Sequence, residues 1–194
     1  MNLGPLIILS GPSGCGKSTV IRRALESAPD FPLRLSVSAT TRDSRPGERD
    51  GVDYHFWKRE RFEQDLEAGA FLEWASVYGH CYGTLRCEVE PFREKGVGVI
   101  LDIDTQGAEQ VRRQCPDVVR VLLRTSSMAA YEERLRKRHT EDEGAIQRRL
   151  AAAQRELERA ADYEYTIIND DLETAVAEFR AVIQRLFERR NHAR

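Results

Sequence analysis

The feature that most constrains this chain is Gly11-Pro12-Ser13-Gly14-Cys15-Gly16-Lys17-Ser18, followed by Thr19. It fits G-x-x-x-x-G-K-S, a phosphate-binding loop. Leu6-Ile7-Ile8-Leu9 before it reads as a short apolar strand, and Val20-Ile21-Arg22-Arg23-Ala24-Leu25-Glu26 after it suits a helix. Strand, glycine loop and helix are the context the motif requires. Glycines let successive backbone N–H groups point inward without Cβ clashes, and the helix N-terminus adds partial positive charge. Lys17 can then reach the outer phosphates of a nucleotide, and the Ser18 hydroxyl can ligate Mg²⁺. The lysine is informative because the chain has only Lys17, Lys58, Lys95 and Lys137, leaving arginine as 26 of its 30 basic residues. In a chain of this composition the pattern arises by chance about once in several hundred cases.

Composition narrows the reading further. A length of 194 residues suits one core, or one core carrying a small inserted lobe. Hydrophobic content of 41% with 32% charge fits a soluble globular protein. A net charge of −2 predicts no general affinity for nucleic acid or anionic membrane. No apolar run approaches the roughly 20 residues of a membrane span. Met1-Asn2-Leu3-Gly4-Pro5 lacks a basic segment and a signal-peptide core, so the cytoplasm is the expected compartment. Cys15, Cys81, Cys87 and Cys115 form no C-x-x-C pair, and His55, His80, His139 and His192 are scattered. Neither set has metal-ligand spacing, and free thiols in a reducing compartment are expected. Because arginine is so abundant, a lone arginine carries little information unless a motif fixes its spacing.

Along the chain, 33–38 alternates apolar and polar residues as a half-buried strand does. Residues 39–51 are polar, with Pro46-Gly47 and Asp50-Gly51 as turn signals. A strand-like pattern resumes over 54–57. A helix is predicted over 59–68, with Phe62 and Leu66 on one face and Gly69 as its C-terminal glycine. Strands over 71–77 and 81–84 flank a turn at Tyr78-Gly79-His80. Residues 36–88 therefore read as a small mixed lobe inserted into a parent domain. A buried strand over 97–104 ends in Asp102 and Asp104, and a helix over 106–115 stops at Pro116. A strand over 118–123, helices over 127–138 and 143–161, and a strand over 165–168 follow. The last helix carries Leu172, Val176, Phe179, Ile183 and Leu186 as a buried stripe. Strands alternating with helices predict a parallel sheet covered on both faces, with ligand beyond the carboxyl ends of the strands.

Two further groups carry chemistry. Asp102 and Asp104 end a central strand, where an acid can bind the Mg²⁺ that bridges nucleotide phosphates, directly or through water. An acid there can equally accept from the amides that open the next helix. If the strand ends between the two, they do different jobs; Asp102 is assigned the metal. In the polar lobe, Arg42 and Arg45 flank a turn with Ser38 before and Tyr54 after. Two guanidinium forks and two hydroxyls suit a phosphate monoester. Spacing alone does not separate that from a solvated charged loop.

The motif set as a whole resembles the guanylate kinases. The resemblance rests on Ser36-Val37-Ser38-Ala39-Thr40-Thr41-Arg42, Arg45-Pro46-Gly47-Glu48, Gly51-Val52-Asp53-Tyr54-His55-Phe56 and Phe71-Leu72-Glu73-Trp74-Ala75. Tyr82-Gly83-Thr84, Leu101-Asp102-Ile103-Asp104-Thr105-Gln106-Gly107-Ala108, Ile168-Asn169-Asp170-Asp171 and the phosphate loop complete it. It covers about 5–188, in order and with few gaps.

The resemblance implies an α/β P-loop kinase of three layers in one domain, 1–194. Core segments would be 1–35, 89–125 and 162–194, with a mixed GMP-binding lobe at 36–88 and a helical lid at 126–161. It implies that Gly11, Pro12, Ser13, Gly14, Cys15, Gly16, Lys17, Ser18 and Thr19 hold ATP, with Mg²⁺ at Ser18 and Asp102. Ser38, Arg42, Arg45, Tyr54 and Tyr82 would hold the GMP phosphate, and Glu73, Thr84 and Asp104 would read the guanine. Lys17, Arg42, Arg134, Arg138 and Arg149 would surround the transferring phosphoryl group. The implied substrates are ATP and GMP, with no nucleic-acid or membrane partner and no oligomeric state indicated.

The chain departs from the family pattern at His139, Arg124-Thr125, Cys81 and Ala39, none of them a phosphate or guanine ligand. Loop amides around Cys15 suggest a thiolate-prone, oxidisable cysteine. Alternatives in view are another small-molecule P-loop kinase, such as a ribose-bisphosphate kinase, and a non-catalytic phosphopeptide-binding module of guanylate-kinase type.

Overall fold

In the computed structural model, residues 3–26, 31–77, 79–137 and 143–192 are described. The centre is a five-stranded parallel sheet in the order β2-β7-β1-β8-β9. For these strands we use β1 Leu6–Ser10, β2 Leu33–Leu35, β7 Gly98–Asp102, β8 Val119–Arg124 and β9 Tyr165–Ile168. The phosphate-loop strand is central: β1 pairs with β7 through Leu6↔Val99 to Leu9↔Asp102, and with β8 through Ile7↔Val119 to Ser10↔Leu122.

Every residue of β1 is fully buried, and the strand feeds both faces of the sheet. Ile7 and Leu9 pack with Val20, Ile21, Tyr131, Phe179 and Ile183. Leu6 and Ile8, pointing the other way, pack with Leu72, Val89, Ala108 and Val111. This follows from the period of two along a strand, and it makes three layers. On the first face lie α1 (Lys17–Glu26), α5 (Met128–Arg136) and α7 (Leu172–His192); on the second lie α3 (Glu90–Glu94) and α4 (Thr105–Gln114). The predicted stripe on the last helix is the buried face of α7, with Leu172 at its edge.

Between β2 and β7 the chain builds a second sheet, ordered β4-β3-β6-β5. Its strands are β3 Ala39–Thr40, β4 His55–Phe56, β5 Phe71–Val77 and β6 His80–Leu85. Ala39, Phe62 from α2 (Arg59–Glu67), Phe71, Cys81 and Leu85 form its separate small core. Gly69 takes φ 70° just after α2, as predicted.

The structure differs from the sequence reading in a few places. The strand expected over 33–38 stops at Leu35, because the chain there leaves one sheet for the other; Ser36 N–H still donates to Ile100 O at 3.0 Å. The stretch expected to be loop from 39 opens with β3. Helix α3 was not anticipated, because five residues are too short to show a period. The helix expected over 143–161 is α6 Glu143–Glu158 followed by a 3₁₀ turn at Ala160–Asp162. Arg138 and His139 lie outside the described residues.

Candidate active site

The phosphate loop leaves the carboxyl end of β1 and closes into α1, whose first turn carries Lys17, Ser18 and Thr19. Cys15 N–H donates to Pro12 O at 3.1 Å, which tightens the turn. Gly16 has φ 96°, and a Cβ there would lie 2.5 Å from Asn169 Nδ2. Glycine is required on both counts. Asn169 Nδ2 donates to Cys15 O at 2.6 Å, and Arg134 Nη1 reaches the same carbonyl at 3.3 Å. Arg134 Nη2 donates to Asn169 O at 2.5 Å. The loop is therefore braced from outside by α5 and by the residue after β9.

Lys17 Nζ donates to Gly11 O at 2.6 Å and lies 3.9 Å from Asp102 Oδ1. Burial opposes its charge most, but Asp102, together with Cys15, Glu156 and Tyr54, outweighs that and holds its pKa above the ordinary lysine value. Ser18 Oγ donates to Asp102 Oδ2 at 3.2 Å. Ser18 and Asp102 thus present oxygen ligands side by side. No group of three or more His, Cys, Asp or Glu side chains with metal-holding geometry occurs among the described residues. A sparse oxygen set completed by substrate phosphates and water is the pattern that Mg²⁺ takes.

The cysteine in the loop corrects an expectation. Cys15 is fully buried, and burial pushes its thiol pKa up despite nearby Lys17. It packs in the main core beside Leu9 and Tyr131 rather than facing solvent as a reactive thiolate.

The strand end separates the two acids. Asp102 is the last residue of β7, whereas Asp104 is the N-cap of α4. Asp104 Oδ1 accepts from Gln106 N–H at 3.0 Å and Gly107 N–H at 2.8 Å. Asp104 also faces Glu73, which is 5% exposed. Glu73 Oε1 accepts from Thr84 N–H at 2.9 Å and from Thr84 Oγ1 at 2.6 Å. Strands β5 and β6 bring the pair together by placing Glu73 opposite Thr84, just past a register shift between Phe71 and Glu73. Such irregularities re-aim side chains. Burial pushes the Glu73 pKa up to about 7, the Thr84 bonds pull the other way, and Asp104 adds to the rise. A Cβ on Gly107 would collide with Glu73 Oε2, so a side chain there would enter the acid pocket. Sequence reasoning gave no role to Gly107 or Asn169, although both sit inside quoted motifs.

Between these two places lies a third group. The Arg42 fork pairs with Glu48, at 2.9 Å from Nη1 to Oε2 and 2.9 Å from Nη2 to Oε1, and Nη1 also donates to Asp43 O at 2.6 Å. Its guanidinium carbon lies 5.5 Å from the centre of the Tyr54 ring. The Tyr54 and Tyr82 rings meet edge to face at 6.0 Å. Burial pushes the Tyr54 hydroxyl up to about 12, and among its charged neighbours are Asp102 and Lys17. Tyr54 thus lies within electrostatic reach of the phosphate loop. Ser38 is half-buried before β3, and its carbonyl accepts from His55 N–H at 2.9 Å. Arg45 is exposed at the turn, where its N–H donates to Glu48 Oε2 at 2.7 Å. On the far side, Arg149 of α6 donates from Nη1 to Ser13 Oγ at 2.8 Å, laying that helix against the loop.

Comparison with known proteins agrees with this layout. A family model described as guanylate kinase matches residues 4–186. A guanylate kinase of Symbiobacterium thermophilum is 50% identical over 180 residues, 93% of this chain and 84% of its own length. That of Vibrio vulnificus is 45% identical over 184 residues, 95% of this chain and 89% of its own. Among solved structures, a guanylate kinase from Anaplasma phagocytophilum superposes with a TM-score of 0.76 at 33% identity, covering 95% of this chain and 87% of that one. A gluconokinase from Sinorhizobium meliloti, at TM-score 0.52 and 17% identity, shares the fold alone. The glycine loop, the strand-end acids and the extent of these matches lead to one conclusion: this chain belongs to the guanylate kinase family.

Proposed function

We propose that the protein transfers the γ-phosphoryl group of ATP to GMP, giving ADP and GDP. The observation that carries the reading is the end of β7. Within three residues it offers Asp102 to Lys17 and Ser18, and Asp104 to Glu73. One short segment thus joins a phosphate site to an acid pocket. Guanine presents N1–H and N2–H donors where adenine has none, and carboxylates accept such donors. A buried carboxylate left unpaired by AMP rejects the wrong base.

In this reading, residues 36–88 form the GMP-binding lobe and 126–161 the lid, around core segments 1–35, 89–125 and 162–194. Gly11 to Thr19 cradle the ATP phosphates. Ser38, Arg42, Arg45, Tyr54 and Tyr82 hold the GMP phosphate, and Glu73, Thr84 and Asp104 hold the base. A GMP phosphate oxygen attacks the γ-phosphorus as the bond to the β-phosphate bridging oxygen breaks. That oxygen is already anionic, so no side chain need act as general base. The residues act by alignment and charge: Lys17 spans the outer ATP phosphates, while Arg42 orients the attacking group. Mg²⁺ at Ser18 and Asp102 would supply charge neutralisation on the ATP phosphates. Arg149 on α6 and Arg134 on α5 stand over the loop from the lid side, and Arg138 is assigned with them by resemblance. In the ligand-free structure Arg134 is occupied by two main-chain carbonyls, so its phosphoryl role requires exchanging them for phosphate oxygens.

No helix among the described residues is long and apolar enough to cross a membrane. We place the enzyme in the cytoplasm, where its free cysteines stay reduced.

A substrate panel at fixed ATP and Mg²⁺ tests the proposal. GMP should be consumed with ADP appearing one for one, and AMP, CMP, UMP and ribose 1,5-bisphosphate should react at least a hundredfold more slowly. Preferential turnover of any of these four, or none of GMP, overturns it.

A further inference from the structure

Helix α6 points more than one residue into the cleft. Ile146 and Ala153 are buried, Arg149 touches Ser13, and Glu156 follows at the same spacing. Steps of three, four and three residues put all four on one face. Glu156 lies seven residues beyond Arg149, about 10 Å further along the helix.

Glu156 has no explained role. Its Oε2 is buried and has no hydrogen-bond partner among the described residues. Burial pushes its pKa up; Lys17 draws it down and Asp104 adds to the rise, so both lie close by. A buried carboxylate oxygen without a donor is costly, and a fold keeps one where something else supplies the donor.

Its neighbours say which donor. Asp104 belongs to the acid pocket that takes the base, and Lys17 to the place where phosphoryl transfer occurs. In a nucleoside monophosphate the part between base and phosphate is the ribose, whose hydroxyls are hydrogen-bond donors. We infer that Glu156 accepts a hydrogen bond from a ribose hydroxyl of the acceptor nucleotide, so that the lid helix reads the sugar. The inference rests on GMP being the acceptor. It makes Glu156 a specificity residue that distinguishes ribonucleotide from deoxyribonucleotide.

The test compares kcat/KM for GMP, 2′-deoxyGMP and 3′-deoxyGMP at saturating ATP and Mg²⁺. Wild type should lose roughly tenfold with at least one deoxy substrate, as for a lost charge-assisted hydrogen bond. In Glu156→Gln that ratio should shrink to about twofold, with KM for ATP unchanged. Glu158→Gln, an exposed position on the same helix, should keep the wild-type ratio. If Glu156→Gln fails to fold by thermal melt, Glu156→Asp, which keeps the charge and shortens the reach, is read by the same ratio. Equal use of all three substrates by wild type overturns the inference, as does a ratio that survives in the variant. A uniform loss restored by added Mg²⁺ also overturns it, since it would assign Glu156 to the metal side. Absence of GMP turnover in wild type would instead remove the functional reading itself.

Discussion

The two ends of the cleft are built by opposite means. At the phosphate-loop end the binding surface is largely main chain, fixed by one continuous run of residues between the central strand β1 and helix α1. At the acid-pocket end it is side chain: Glu73 from β5, Thr84 from β6 and Asp104 from the start of α4. The first end is braced by backbone-directed bonds from Asn169 and Arg134. The second is held by side chains already paired with protein partners, Arg42 with Glu48 and Glu73 with Thr84. A main-chain cradle suits phosphate, which every nucleotide shares. Side-chain acids suit a base, which must be told from others.

If that contrast holds, the largest single loss belongs to the one side chain on which the cradle depends. Lys17→Met should reduce kcat by about a thousandfold or more, in line with removing a preorganised transition-state charge. Its fold should persist, because methionine keeps the length and unbranched shape of the lysine stem. Circular dichroism and a thermal melt with wild-type shape alongside near-wild-type turnover would break the assignment.

The acid pocket should respond more selectively. Glu73→Gln should cut kcat/KM for GMP roughly ten- to a hundredfold, the worth of a buried charge-assisted bond, while KM for ATP stays put. Equal losses on both substrates would show that the two ends are not separable.

The same residue sets a pH signature. In the ligand-free fold Glu73 keeps its proton up to about pH 7, against 4.5 for an unperturbed glutamate. The folded state therefore holds an extra proton between those values, and stability falls as pH rises through that window. If guanine binds the carboxylate, as proposed, binding GMP releases that proton below pH 7. The KM for GMP should rise up to tenfold for each pH unit below 7 and level off above. Ionisation of the GMP phosphate contributes equally in Glu73→Gln, so the difference between the two profiles isolates Glu73. Parallel profiles would mean that Glu73 binds in its protonated form.

The contrast also explains what the sequence could disclose. Lys17 and Ser18 were legible because the chemistry needs them at fixed offsets in one stretch, and the split between Asp102 and Asp104 was legible as a strand end. Glu73 and Thr84 were not legible from spacing. They meet only through the β5–β6 register, and a one-residue slip would turn Glu73 to the other face. Family resemblance, not periodicity, singled them out. Asn169 braces Cys15 across 154 positions of sequence, a contact with no local pattern. The Cys15 thiol was misjudged because loop amides are visible in the motif, whereas the core beneath it is not.

The smallest expected effect sharpens the contrast most, because it asks whether the monophosphate pocket is preset or must open. Glu48 takes two of the five donors of the Arg42 guanidinium, and Asp43 O takes a third. Tyr82 also hydrogen-bonds the guanidinium, and the donor that remains can hold a phosphate oxygen without releasing Glu48. Glu48 then acts as a splint that aims Arg42 and, through Arg45 N–H, fixes the turn. Glu48→Gln keeps the shape and weakens the ion pair, so KM for GMP should rise by about threefold, as for an ion pair that solvent still reaches in part. If Glu48 were instead a competitor that must be displaced, the same substitution would lower KM. The direction of the change in a single Michaelis–Menten comparison decides between a splint and a latch.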